Sequence, residues 1–397
     1  MLYCDLTQSW SEVGGGIGTY LRHKRRYICD ETAASHLMIL PGPRDETIIA
    51  DGGRAITEYV ASPRVPGSPN YRLLLRNRKV RALLKKHRPD LIECQDSYNL
   101  PWAALAHARA HPGTATVAAY MTDFPTVYVE RPFSRWFGGS IGGAAQRLCY
   151  RYVRALYQRF DAVYALSEHG GAATLRALGV DPVEVVPLGV ELGDFSPDKR
   201  DPSLREQIGV GPDDPLLIYA GRMDVEKRPQ VVLDAFLALP EAMRATLVLL
   251  GDGPLREGFI EQAKGKRVIA PGYVADRKQL ARWLASADLY VSGMADETFG
   301  ISIIEAQASG LPVIGIAAGA MLDRVPDTIG RTGPIDNAAA MARNIVAVWK
   351  GDHRAMGELA RAHAAQFGWG DSMQRLFAEV YVSALAKARA GPSLAPR

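Results

Sequence analysis

Along the chain, short apolar runs alternate with stretches in which apolar side chains recur every three or four positions. In the first half, Met1–Leu6, His36–Leu40, Leu91–Cys94, Ala115–Ala119 and Ala162–Ala165 read as strands, and residues 18–29, 71–87, 101–110 and 140–160 read as helices. Strands that alternate with helices build parallel βαβ units. Glu184-Val-Val-Pro-Leu-Gly-Val190 reads as a strand running into a linker, and the following segment to Pro215 is rich in Pro, Gly and Asp. The rhythm then restarts. Leu216–Ala220, Ala245–Leu250, Val268–Ile269, Leu289–Val291 and Val313–Ile316 are predicted strands, with helices over 229–239, 253–264, 276–287 and 302–309. These runs are bounded by Gly, Pro or Asp, the pattern of strands buried on both faces. The expected architecture is α/β, with two facing Rossmann-like doubly wound domains over 1–188 and 189–370. Residues 371–397 form a last helix, apolar on one face, and a tail. Ligands of such sheets sit beyond the carboxyl ends of the strands, so a cleft between the domains is the expected site.

Composition adds limits. A length of 397 residues exceeds what one core supports, and 47% hydrophobic with 23% charged residues is ordinary for a globular protein. The amino terminus lacks a basic segment followed by an apolar run, and no stretch approaches the ~18 apolar residues of a spanning helix. A cytoplasmic protein is expected. Cys4, Cys29, Cys94 and Cys149 form no Cys-x-x-Cys pair, which argues against a zinc site or a disulfide framework and for buried thiols. The net charge of +4 divides into about +6 over residues 1–190 and about −2 beyond. A basic half suits an anionic partner, and drift in surface composition explains it equally well.

Three motifs carry candidate chemistry. In Glu297-Thr-Phe-Gly-Ile-Ser-Ile-Ile-Glu305, a loop after the strand at 289–291 runs into a helix near Ser302. Free N–H groups at that helix start favour an anion, and Gly300 allows close approach to the main chain. Glu305, about one turn inside, could grip vicinal hydroxyls; an acidic first turn of an ordinary helix reads the same way. In Gly221-Arg-Met-Asp-Val-Glu-Lys227, Arg222 and Lys227 follow a buried strand and could neutralise a diphosphate, or be solvated loop charges. Glu12-Val-Gly-Gly-Gly-Ile-Gly-Thr-Tyr20 is a glycine turn between the first strand and the first helix. It does not thread G-x-G-x-x-G, and tight strand-to-helix packing explains it as well.

In this order, together with Val186-Pro-Leu-Gly-Val-Glu191 and Leu249-Leu-Gly-Asp-Gly-Pro254, these motifs resemble the family-4 retaining glycosyltransferases of the B-type (GT-B) fold over essentially the whole chain. The resemblance implies a hexose transfer from a UDP- or GDP-linked donor to an acceptor hydroxyl, with no metal and no cofactor. Carried over by position, Arg222 and Lys227 would hold the diphosphate, Glu297 would orient sugar hydroxyls and Glu305 the ribose. Gly221, Phe299, Gly300 and Ile301 would line the donor. Gly15 and Gly16 would let the first domain approach the reacting centre, and the helix after Trp369 would cross back to that domain.

One position departs from the family pattern. Many members carry a His after the strand at 115–120; here Tyr120-Met-Thr-Asp-Phe-Pro125 places Met121 in that slot, a version similar to enzymes acting on lipid-linked acceptors. Asp123 is the candidate to orient or deprotonate the acceptor, or a turn cap before Pro125. Asp96 is a second acceptor-side candidate. The basic helix Tyr71–Pro89 suits either solvent or an anionic membrane, which would make the protein peripheral at the inner face. Expected partners are therefore a nucleotide sugar, a sugar, lipid or glycolipid acceptor and a membrane surface, with no nucleic acid. The rival readings are a catalytically silent nucleotide-sugar-binding protein and a sugar-nucleotide epimerase of the same fold.

Overall fold

The structure, a computed structural model, describes residues 1–11, 15–66 and 68–391. Gly14 of the glycine motif and the tail beyond Gly391 lie outside the described residues. The chain divides into two compact units, Met1–Leu188 with Trp369–Arg397, and Gly189–Gly368.

The first unit contains β1 (Leu2–Leu6), β2 (Ser35–Gly42), β3 (Glu46–Ala50), β4 (Ala55–Ala61), β5 (Arg64–Val65), β6 (Ser68–Arg72), β7 (Leu91–Cys94), β8 (Ala115–Tyr120), β9 (Ala162–Ala165) and β10 (Glu184–Val185). Its eight-stranded sheet runs β10-β9-β8-β7-β1-β2-β4-β3, while β5 and β6 form a separate antiparallel ribbon. Only β3, at the edge, runs antiparallel within the sheet. The strand order reverses between β1 and β7, which opens a crevice at their carboxyl ends.

Beneath that point lies a fully buried polar network. Lys24 Nζ bridges Asp5 at 2.7 Å and Glu93 at 2.9 Å. Tyr20, Tyr164 and Tyr381 all donate to Glu93, at 2.8, 2.9 and 2.7 Å. Arg25 Nε donates to His36 Nδ1, so that ring is neutral and donates through Nε2 to Asp5 at 2.6 Å. Burial favours the same neutral form. Burial alone would raise the Asp5 pKa, but the Lys24 charge and the His36 hydrogen bond outweigh it and bring it to about 2. Tyr381 comes from the terminal segment, where Trp369–Arg375 and Val382–Ala390 flank a widened turn at Leu376–Tyr381. Trp369 stacks on His23 at 4.2 Å, and Phe377 meets Tyr3 edge-on at 5.2 Å. The terminal helix thus completes the first unit's core.

The second unit contains β11 (Leu216–Ala220), β12 (Thr246–Leu250), β13 (Val268–Gly272), β14 (Leu289–Val291), β15 (Val313–Ile316) and β16 (Gly330–Gly333). All pair in parallel in the order β13-β12-β11-β14-β15-β16. This is the doubly wound order whose switch point falls between the first and fourth strands, here β11 and β14.

Several expectations need correction. The helix expected over 71–87 begins only at Asn77, because residues 68–72 pair as a strand with β5. β3 and β4 were not expected. β4 carries polar Thr57 and Glu58 on its two opposite faces, and both are buried because Arg25 satisfies the first and Thr47, Lys86 and His87 the second. β16 is Gly-Arg-Thr-Gly and has no apolar run; pairing with β15 makes it a strand. Cys149 is half-buried rather than buried, and all four cysteines are free.

Candidate active site

The loop after β11 and the loop after β14 meet at the second unit's switch point. Gly221 begins the first; a Cβ there would lie 3.0 Å from Tyr219 Oη, which donates to the Arg222 carbonyl at 2.7 Å. Asp224 caps the next turn through the Lys227 N–H at 3.1 Å, and this aims the Lys227 side chain across the strand ends. Lys227 Nζ lies 3.3 Å from Glu297 Oε2, with both side chains mostly covered. Arg222 is well exposed and leans on Asp224 and Glu226 at 3.1 and 3.0 Å, weak surface pairs that an anionic ligand can displace.

Glu297 is held from behind by a residue the motif analysis did not single out. The Glu297 carbonyl accepts from Ala320 N at 2.8 Å, and Gly319 has a φ of +54°. A Cβ on Gly319 would lie 2.7 Å from the Ala295 carbonyl and 2.8 Å from that of Glu297. The Gly-Ala pair after β15 is the signal that could have revealed it. Gly300, at φ 89° and ψ 54°, opens the helix Ile301–Ala308, whose first N–H groups have no intrahelical acceptor. Phe299 is buried, and its ring and that of Phe367 flank Arg324 at 4.7 and 4.6 Å. Arg324 Nε donates to the Phe299 carbonyl, and burial brings the Arg324 pKa down to about 10. Phe299 therefore braces the loop from the core side.

Glu305 lies one turn into that helix and is buried. Burial raises its pKa, and Arg277 opposes the rise through a 3.0 Å contact. Arg277 was missed because 28 positions separate it from Glu305. It also reaches Asp194 at 3.6 Å and sits 5.0 Å above the Phe195 ring.

In the first unit, Asp96 follows β7, and its carboxylate accepts from Thr7 Oγ1 and Gln8 N at 2.6 Å each and from Ser9 Oγ. Burial raises its pKa against these bonds. Asp96 thus anchors the loop that leads from β1 towards the glycines. Gly15, at φ 95°, precedes the helix Gly16–Glu31, and Gly15 and Gly16 are exposed there. A small cavity lined by Ser9, Asp96, Tyr98, Thr122, Phe124 and Tyr128 lies at the ends of β1, β7 and β8. Asp123 accepts from Thr126 at 2.8 Å and from Tyr150 at 2.8 and 3.0 Å. The Met121 side chain is buried at the end of β8. Among the described residues, no group of three or more His, Cys, Asp or Glu is placed to hold a metal ion.

The family described as Glycosyltransferase Family 4 matches residues 14–194, and the family described as Glycosyl transferases group 1 matches residues 214–350. The chain belongs to the family-4 glycosyltransferases. This glycosyltransferase is 27% identical over 359 residues, 89% of each chain, to a GDP-mannose-dependent alpha-(1-6)-phosphatidylinositol dimannoside mannosyltransferase of Mycobacterium tuberculosis. It is 33% identical over 255 residues, 58% of each chain, to D-inositol 3-phosphate glycosyltransferase 2 of Catenulispora acidiphila. Its fold is similar to that of sucrose-phosphate synthase from Thermosynechococcus elongatus, with a TM-score of 0.75 at 21% identity over 95% of this chain and 97% of that one. Anabaena HepE, solved with UDP and glucose, gives a TM-score of 0.68 at 18% identity over 94% and 97%. Both domains of the glycosyltransferase are thus Rossmann-like, and no helix among the described residues is long and apolar enough to cross a membrane.

Proposed function

We propose that this glycosyltransferase moves a hexose from a nucleotide-diphosphate donor to a hydroxyl of a lipid-linked acceptor, with retained configuration and no metal ion, at the cytoplasmic face of a membrane. The observation that carries the reading is the meeting of Lys227 and Glu297 at the switch point of the second sheet. In the free protein the two neutralise each other. An arriving diphosphate competes for the Lys227 ammonium and is met also by Arg222, which frees the Glu297 carboxylate to accept from sugar hydroxyls. Glu305 accepts from the ribose hydroxyls, and the N–H groups after Gly300 face the phosphates.

The bond from the anomeric carbon to the phosphate oxygen breaks as the acceptor oxygen bonds on the same face, through an oxocarbenium-like state. The acceptor proton passes to the departing phosphate. Arg222 and Lys227 stabilise the charge developing there, the role a metal ion would otherwise serve. Both Asp123 oxygens already accept hydrogen bonds, so Asp123 acts by orienting the acceptor. The M. tuberculosis relative is named for GDP-mannose and a phosphatidylinositol glycolipid, which supports a lipid acceptor and makes GDP-mannose the first donor to try.

A thermal-shift panel of UDP, GDP and ADP with their sugar conjugates tests the reading, because a ligand at about a hundredfold excess over its Kd adds about 2.7 kcal/mol to stability. One nucleotide series is expected to stabilise the protein, and the transferred sugar should keep its anomeric configuration by NMR. No response to any nucleotide would overturn the proposal. Conversion of the sugar without an acceptor would assign an epimerase instead.

A further inference from the structure

Exposed large apolar side chains concentrate in one short segment. Tyr128, Phe133, Trp136, Phe137, Ile141 and Leu148 all lie there, with Trp136 78% exposed. The segment is a helical hairpin. A wide turn over Pro125–Glu130 continues into the helix Arg131–Phe137, Gly138 turns the chain at φ 87°, and the helix Gly139–Tyr157 returns. The arms press together at Gly142, where a Cβ would lie 1.9 Å from Ser134 Oγ and 2.8 Å from the Glu130 carbonyl. On the returning arm, Ile141, Ala144, Leu148 and Arg151 are exposed and fall on one stripe at helical spacing. Residues 125–157 contain five arginines and one acidic residue, Glu130, whose carboxylate accepts from Ser134 Oγ.

An apolar tip with an arginine collar suits a bilayer surface. Aromatic and aliphatic side chains enter the acyl boundary, while guanidinium groups reach anionic headgroups. The basic helix expected to serve this purpose is a poorer candidate. Arg76 and Lys79 pair with Asp45 at 2.7 and 3.3 Å, and Lys86 and His87 pair with Glu58 at 2.8 and 2.7 Å. The helix also has no large apolar side chain left to insert, because Val80, Leu83 and Leu84 are all buried.

We propose that the hairpin 125–157 is the surface by which this protein rests on an anionic lipid bilayer, with Trp136, Phe137 and Ile141 inserted and Arg147, Arg151 and Arg154 at the headgroups. The inference rests on the lipid-acceptor reading above, and the structure joins the two. Tyr150, on the returning arm, donates to Asp123, and Gln146 donates to Thr126 Oγ1 at 3.0 Å. The helix that meets lipid therefore also holds the acceptor-side carboxylate.

Co-sedimentation of the full chain with phosphatidylglycerol–phosphatidylcholine vesicles, and with phosphatidylcholine alone, provides the test. Wild type should bind the anionic vesicles and bind the neutral ones far less. W136S/F137S should weaken binding by about tenfold or more. R147Q/R151Q/R154Q should weaken it by roughly a hundredfold, about fivefold per charge. R78Q/R81Q/K85Q, on the basic helix, should bind within a few-fold of wild type. All substitutions are at surface positions, and unchanged melting temperatures would exclude misfolding. Absence of wild-type binding, or full binding by both hairpin variants, overturns the proposal. Nucleotide binding is read separately by calorimetry. Vesicle failure with intact donor binding therefore sinks the surface alone, and the converse sinks the functional reading.

Discussion

Arg277→Gln perturbs the carboxylate assigned to the ribose without touching that carboxylate. The Arg277 guanidinium lies 3.0 Å from Glu305 Oε1. A full charge pair at that distance, at an effective dielectric constant of about 20, is worth about 5–6 kcal/mol before desolvation. The Arg277 side chain is 49% exposed and is shared with Asp194, so a net loss of about 1–2 kcal/mol is the appropriate scale. Losing the cation that opposes burial therefore moves the Glu305 pKa further up, beyond the rise that burial already imposes. The ionised carboxylate is the form that accepts from two hydroxyls. A higher pKa means the proton is retained to higher pH, so donor affinity must begin to fall earlier as the solution is acidified. Calorimetric titration of the nucleoside diphosphate through the weakly acidic and neutral range should show that limb displaced to higher pH in R277Q. In E305Q the limb should be absent. The same acid limb in R277Q as in wild type would refute the electrostatic coupling, and an unaltered limb in E305Q would remove Glu305 from the donor site.

Other consequences follow from the same geometry. Lys227→Ala and Glu297→Ala should each lower kcat by about 10²–10³, with melting temperatures little changed because both members of the pair still reach solvent; steady-state kinetics and thermal melts separate these effects. Gly319→Ala should cost about 1–3 kcal/mol in a urea titration and depress turnover, since its Cβ would collide with the carbonyls that shape the Glu297 loop. Lys24→Met should cost about 3–5 kcal/mol in the same titration, because it leaves Asp5 and Glu93 buried without the cation between them. The Asp5 pKa is depressed to about 2, so the stability from its ionised form is present above the unfolded-state value of about 3.9 and is lost as pH falls from there towards 2. An acid titration followed by circular dichroism should show the first unit weakening in that window.

The sequence by itself determined where the doubly buried strands lie. β7, β9, β11, β14 and β15 occupy the residues that their apolar runs mark, because a strand covered on both faces is apolar except where a buried partner satisfies a polar group, as Lys24 does for Glu93 in β7. It also marked the chemistry-bearing loops, since Gly221, Gly300 and the acidic and basic residues around them follow those strands directly. Tertiary structure decided what local pattern could not encode. β4 buries Thr57 and Glu58 because partners from distant segments satisfy them, and β16 is a strand through its pairing with β15. Lys227 and Glu297, 70 positions apart, meet because the sheet order sets β11 beside β14. Arg277 reaches Glu305 across the fold, and Tyr381 closes a charged network begun at Asp5. Spacing along a chain encodes which face a side chain occupies; which opposite charge it meets there depends on the order in which strands pair, and that order is a property of the folded sheet.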